Sequence, residues 1–276
     1  MDSVTSYMVF NWLSNKRIPV QYVTRDNVEK AAKKFLADHP DTLVYFINLD
    51  TSAISNIVDR RNVVIIDHHK SHIDKKSVYT NCKPILKNCS SCCKLIYTLL
   101  RKRLPGKLTT DQLRLMFMVD DYESYTFNLP SSYELGVVFN NLQGDRSVRF
   151  YSKFVDGFTE FDSTDKNTIT FLKKRIDNVK SQLSPFTATI QINDKKYKFI
   201  SVFVDGYINE VSDFLLNEYS CDICLTINLE YKRVSFRRDK KCKLNLKRLS
   251  EKLCNGWGYE YAAGGDLTDK LLQFSK

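Results

Sequence analysis

Two short stretches place side chains capable of chemistry directly after apolar runs. Val63-Val64-Ile65-Ile66 leads straight into Asp67-His68-His69, and the run from Thr42 to Ile47 leads into Asn48-Leu49-Asp50. Carboxylate beside imidazole is a mixed oxygen and nitrogen donor set of the kind that suits manganese, zinc or iron. A single aspartate at such a place is commonly only a helix cap. Two adjacent histidines after a buried strand and an aspartate read as a site. The chain also has eight cysteines, and two pairs, Cys89 with Cys92 and Cys221 with Cys224, have zinc-like spacing. Both pairs fall inside what read as regular elements. Cys221 to Ile227 looks like a strand, where residues three apart point to opposite faces, so buried thiols are expected there rather than a zinc knuckle.

Charge adds a second hint. The formal net charge is +10, with a pI near 9.1, which points to an anionic partner without choosing among nucleic acid, nucleotide and acidic membrane. The densest basic run, Arg233 to Arg248, contains Arg237, Arg238, Lys240, Lys241, Lys243, Lys247 and Arg248. It reads equally as a contact surface and as the solvated end of a hairpin.

The elements that must hold these residues alternate in kind. Met8, Val9, Trp12 and Leu13 mark a helical face over Thr5 to Asn15. Pro19 to Val23 is a strand candidate, and Asn27 to Ala37 a helix capped by Asp26 or Asn27. The continuous apolar runs at 42–47 and 63–66, separated by helical or loop segments, predict a parallel sheet covered on both faces. Helices are then expected over Cys92–Arg103, Thr109–Asp120, Ser131–Asn141, Arg146–Phe154 and Thr164–Leu183, the last ended by Ser184-Pro185. After it come strands at Thr187–Ile192 and Tyr197–Val204, a helix at Asn209–Tyr219, strands at Ile223–Leu229 and Arg233–Arg237, a helix at Leu244–Cys254 and a glycine-rich end. The division this predicts is 1–184 and 185–276. Hydrophobic residues make up 43% of the chain, and no apolar run approaches a membrane span. No signal-peptide layout opens the sequence, so a cytoplasmic location with reduced thiols is expected.

Taken in order, these blocks resemble the DHH phosphoesterase superfamily, in its oligoribonuclease and nucleotide-phosphatase-like branch. Asp67-His68-His69 matches the name-giving motif, and Ile47-Asn48-Leu49-Asp50-Thr51-Ser52 resembles the block before it. Val119-Asp120-Asp121-Tyr122-Glu123-Ser124-Tyr125 is similar to a later block. Gly256-Trp257-Gly258-Tyr259-Glu260-Tyr261-Ala262-Ala263-Gly264-Gly265 resembles the glycine-rich segment of the DHH-associated domain, with Val234-Ser235-Phe236-Arg237 as its companion strand. The resemblance implies an α/β fold: an N-terminal parallel-sheet DHH domain with flanking helices, a smaller mixed-sheet α/β domain, and an active site in the cleft between them.

It also implies roles. Asp2, Asp50, His68 and Asp121 would hold a divalent ion, with Asp120 the alternative to Asp121 and Asp50 bridging to a second ion about 3.5–4 Å away. Asp67, His68 and His69 would be the catalytic motif, His69 either touching the scissile phosphate or orienting His68. Arg237, Gly256, Gly258, Tyr259 and Gly264 would hold substrate, and Trp257, Tyr259 and Tyr261 either stack on a base or belong to the core. Mn2+, or Mg2+ or another divalent ion, is the implied cofactor. A short oligonucleotide or a small nucleotide or dinucleotide, cyclic ones included, is the implied substrate, hydrolysed at a phosphodiester or phosphomonoester bond, with no membrane partner and with room for a homodimer. Two departures stand out. Tyr259 replaces the histidine of the glycine-rich loop. Asp2 and Ser6 fit only the second half of the family's first block, whose histidine and first aspartate would precede Met1. Either the reading frame continues upstream or the chain is a trimmed, one-metal version. In the latter case the alternative function is a catalytically degenerate nucleotide- or nucleic-acid-binding protein.

Overall fold

The computed structural model describes residues 1–24 and 26–274. They form two compact units, Met1–Ile169 and Thr170–Lys276. The first contains α1 (Asp2–Ser14), α2 (Val28–Asp38), β1 (Val44–Ile47), α3 (Ser55–Val58), β2 (Val63–Asp67), α4 (Lys70–Ile73), β3 (Lys83–Leu86), α5 (Cys92–Leu100), α6 (Thr110–Glu123), α7 (Ser132–Asn141) and α8 (Arg146–Phe154). The division between the units falls within α9 (Ser163–Ser181), and a boundary at 184 would lie just beyond that helix.

The strands of the first unit form one parallel sheet in the order β1-β2-β3. Its central strand explains why the apolar run is unbroken. Val63 and Ile65 pack with Val28, Ala32, Leu36 and Ile57 from α2 and α3, while Ile66 packs with Met8, Ile96 and Met116 from α1, α5 and α6. A strand with helices on both faces has no solvent side, so alternation disappears. The helices begin where their caps stand. Thr109 and Gln112 form a reciprocal capping box on α6, and the Ser91 hydroxyl accepts from the Lys94 amide on α5.

Two expectations change here. Pro19 to Val23 forms no regular element. Its neighbour Ile18 is held through its carbonyl by the Tyr7 hydroxyl at 2.7 Å, rather than by a strand ladder. Conversely, Lys83-Pro84-Ile85-Leu86 is a strand that periodicity does not reveal. It lies at the edge of the sheet, where the missing amide of Pro84 need not cost a ladder bond.

The second unit contains β4 (Phe186–Ile192), β5 (Lys195–Phe203), α10 (Ile208–Glu218), β6 (Ile223–Asn228), β7 (Arg233–Arg238), α11 (Leu246–Cys254), β8 (Trp257–Gly258), β9 (Ala262–Asp266) and α12 (Asp269–Phe274). Its mixed sheet runs β4-β5-β6-β7-β9-β8, with β5 and β6 parallel and the other neighbours antiparallel. On one face Ile200 and Val202 meet Val211 and Leu215 of α10. On the other Phe199 and Phe236 meet Leu246, Leu249 and Leu253 of α11. Cys221 and Cys224 are buried in the first of these clusters, and burial pushes the Cys224 thiol up to about 12. Among the described residues, no helix is long and apolar enough to cross a membrane.

Candidate functional site

Parallel pairing of Ile47 with Ile66 brings the carboxyl ends of β1 and β2 out at the same sheet edge, so Asp50 and Asp67-His68-His69 emerge together. Asp67 itself has no solvent exposure. One of its oxygens accepts from the His68 amide at 2.8 Å and lies 2.7 Å from His69 Nδ1, and the other lies 2.7 Å from His72 Nδ1. Burial alone would raise the Asp67 carboxyl. The hydrogen bonds from His69 and His72 outweigh it and hold the group well below the usual carboxylate range. Asp67 therefore orients two imidazoles and keeps its charge.

Nothing in the motifs singles out His72. It is fully buried on α4, with Nε2 2.7 Å from the Tyr79 hydroxyl, which in turn lies 2.8 Å from Thr51 Oγ1. The same Nε2 lies 3.9 Å from Asp50 Oδ1, so this imidazole stands between the aspartates of the two strand ends. Asp50 also accepts from the Ser52 amide at 3.0 Å and the Ser71 hydroxyl at 3.3 Å. Burial would raise its carboxyl, yet the Ser52 hydrogen bonds and the His72 and Lys75 charges pull it down. The one signal for His72 is its spacing, three residues after His69 in a chain with only four histidines.

His68 faces a different partner. Its Nδ1 lies 3.0 Å from the Cys89 carbonyl, which can only accept, so Nδ1 donates there and Nε2 is the ring nitrogen turned toward the site. Nε2 points at Asp2, 3.4 Å from Oδ2. Asp2 opens α1 and is anchored at the amino end of α5, accepting from the Cys92 amide at 2.7 Å and the Cys93 amide at 2.9 Å, where the helix dipole favours a carboxylate. Glu123, the last residue of α6, accepts from the Asp2 amide at 3.3 Å. Burial, reinforced by the Asp2 charge, pushes the Glu123 carboxyl up. In the sequence Glu123 shares a block with Asp120 and Asp121, and nothing in the pattern gives it a role of its own.

The hydrogen bonds of Asp121 go elsewhere. One carboxylate oxygen accepts from Thr126 Oγ1 at 2.5 Å and the Asn128 amide at 3.0 Å. The other accepts from the Leu129 amide at 3.0 Å and Ser132 Oγ at 2.5 Å. Both oxygens are used to clasp the loop between α6 and α7. The alternative, Asp120, is similarly engaged, with Ser90, Ser91 and Lys94. Among the described residues, the side chains grouped closely enough to share an ion as a set of three are Asp67, His68 and His69. Asp2 stands beside His68, while Asp50 and Asp121 lie outside that set.

In the second unit, Arg237 is fixed by Asn209 of α10, its Nη2 lying 2.8 Å from Asn209 Oδ1. Gly258 has φ +137, a conformation that favours glycine. A side chain on Gly256 would strike the Gly264 carbonyl, and one on Gly264 the Val234 carbonyl. These glycines are thus required by the packing of β7, β8 and β9. Tyr259 and Tyr261 are exposed and stacked on each other, centroids 5.6 Å apart, and Arg233 lies over the ring of Trp257.

Residues 1–118 match the DHH family, N-terminal domain. No curated protein matches the chain significantly. Among solved structures, the DHH domain of a member of a family of ribosomal proteins is similar at a TM-score of 0.63 and 13% identity, over 99% of this chain and 83% of that one. A pGpG-specific phosphodiesterase, PggH, from Vibrio cholerae is similar at a TM-score of 0.56 and 11% identity, over 98% of this chain and 91% of that one. RecJ from Thermus thermophilus, solved in complex with Mn2+, is similar at a TM-score of 0.50 and 13% identity, over 99% of this chain and 49% of RecJ. At such identities the likeness is one of fold.

Proposed function

We propose that this chain, whose residues 1–118 match the DHH family, N-terminal domain, is a divalent-metal-dependent phosphoesterase acting on short oligonucleotides or small dinucleotides. The observation that carries this reading is the orientation of His68. Its Nδ1 is turned to the Cys89 carbonyl, which leaves Nε2 facing the Asp2 carboxylate 3.4 Å away. That pairing fits a divalent ion, with His68 and Asp2 as ligands and Asp50, at the neighbouring strand end, to complete the set. When bound, such an ion would supply Lewis acidity to the phosphoryl oxygens.

The chain's own residues perform the rest. Asp67 holds His69 through Nδ1, and the Nε2 side of the same ring is assigned to a phosphate oxygen. His72 and Tyr79 lock Asp67 from behind. Mn2+ is the first ion to try, and a cytoplasmic location remains part of the proposal.

The test is hydrolysis of an end-labelled diribonucleotide with Mn2+, comparing wild type with His68→Ala. Loss of a metal-directing imidazole should lower turnover on the order of 100-fold or more. Equal, negligible rates in the two proteins, with the dinucleotide still bound, would instead identify a binding protein without turnover.

A further inference from the structure

The loop that Asp121 clasps carries an aromatic ledge. Tyr122 and Tyr125 lie nearly parallel, their centroids 6.3 Å apart at 27°. Phe127 meets Tyr122, Tyr125 and Tyr133 edge-on at 5.9, 6.0 and 5.7 Å. Tyr125 is 56% exposed and Phe127 37%. Both have left-handed backbones, φ 54 and φ 49, which large side chains adopt only at a cost. The clasp explains how that conformation is held: Asp121 binds Thr126, Asn128, Leu129 and Ser132, between and beyond the two rings. The ledge begins two residues after Glu123, which itself bonds the Asp2 amide.

We propose that Tyr125 and Phe127 form a stacking site for a nucleobase of the substrate, adjoining the Asp2 and His68 site. The proposal rests on the phosphoesterase reading above and narrows it: the substrate carries a base, and a bare phosphodiester lacks part of the binding surface. Every base offers a π face, so the site reads the presence of a base rather than its identity.

The experiment is equilibrium dialysis of a radiolabelled diribonucleotide and of its abasic counterpart, using the full chain with Ca2+ in place of Mn2+. The proteins are wild type, the double variant Tyr125→Ala with Phe127→Ala, and Tyr125→Trp. The double variant should bind the dinucleotide about 5- to 150-fold more weakly, the range for loss of base stacking, and the abasic compound as wild type does. Tyr125→Trp should retain dinucleotide affinity. A double variant that binds both compounds like wild type overturns the ledge and leaves the phosphoesterase reading intact. One that loses both to the same extent reduces the rings to loop packing and overturns it as well. Should the double variant unfold, Tyr125→Leu replaces it with the same criteria. Wild type that binds neither compound removes the phosphoesterase reading and the ledge together.

Discussion

His72 Nδ1 lies 2.7 Å from Asp67 Oδ2, and neither side chain is exposed to solvent. This buried pair stands behind the Asp67-His68-His69 motif and connects it, through Tyr79, to Thr51 beside the end of β1. Removing one partner would leave the other polar and buried. His72→Ala should therefore cost roughly 1–3 kcal/mol of stability, the range for leaving a buried polar group without its hydrogen-bond partner. Urea unfolding reads this directly. A loss below about 1 kcal/mol would mean that water or a rearranged side chain satisfies Asp67.

Asp121 separates two roles by experiment. As the clasp of the loop, it should be needed for stability and not for the ion. Asp121→Ala leaves the Asn128 and Leu129 amides without their acceptor, and a loss of about 1–3 kcal/mol is expected. Mn2+ affinity, followed by electron paramagnetic resonance of the free ion, should stay within about threefold of wild type, whereas His68→Ala should weaken it at least about tenfold. Tight Mn2+ binding that disappears in folded Asp121→Ala would restore Asp121 to the ligand set.

What is legible in the sequence follows from how each feature is encoded. The apolar runs at 63–66 and 42–47 announce a sheet buried on both faces, because such burial is a composition signal. The helix at 110–123 is announced by its cap. β3 is hidden because its proline and lysine are tolerated at an edge, where pairing, not pattern, makes the strand. Asp67 and His68 are visible from their position after a strand. His72 and Glu123 are not, since their roles arise only when α4 and α6 bring them against Asp67 and Asp2. Asp121 lies between these cases, because a motif specifies a carboxylate and cannot specify which donors will occupy it.

Asp59 should govern part of the acid limb of stability. Its carboxylate accepts the amides of Thr80, Asn81 and Cys82 at 2.9, 2.7 and 2.7 Å. Burial would raise the group, but these hydrogen bonds hold it far below the usual carboxylate range. A depressed folded-state pKa means the contribution is fully present above the unfolded value of about 4 and is lost as pH falls from there through the folded value. Asp59→Asn should thus lower the melting temperature at pH 7 and flatten its fall between about pH 4 and pH 2. Parallel melting curves for the two proteins across that range would assign the acid sensitivity elsewhere.

Gly258 and Gly144 provide the last contrast, because both have positive φ but different surroundings. Gly144, at φ +71, has open space where a side chain would go. Gly258, at φ +137, would drive a side chain to 2.6 Å from the Ala262 carbonyl oxygen and the Ala263 Cα. Gly144→Ala should therefore cost about 1 kcal/mol, the backbone penalty alone. Gly258→Ala adds a clash with the backbone of β9 and should cost more, about 2–4 kcal/mol. Urea unfolding without any nucleotide is the measurement, and it bears on function. If Gly258→Ala folds as stably as Gly144→Ala, then packing does not require this glycine, and close approach of a phosphate becomes the better reason for it.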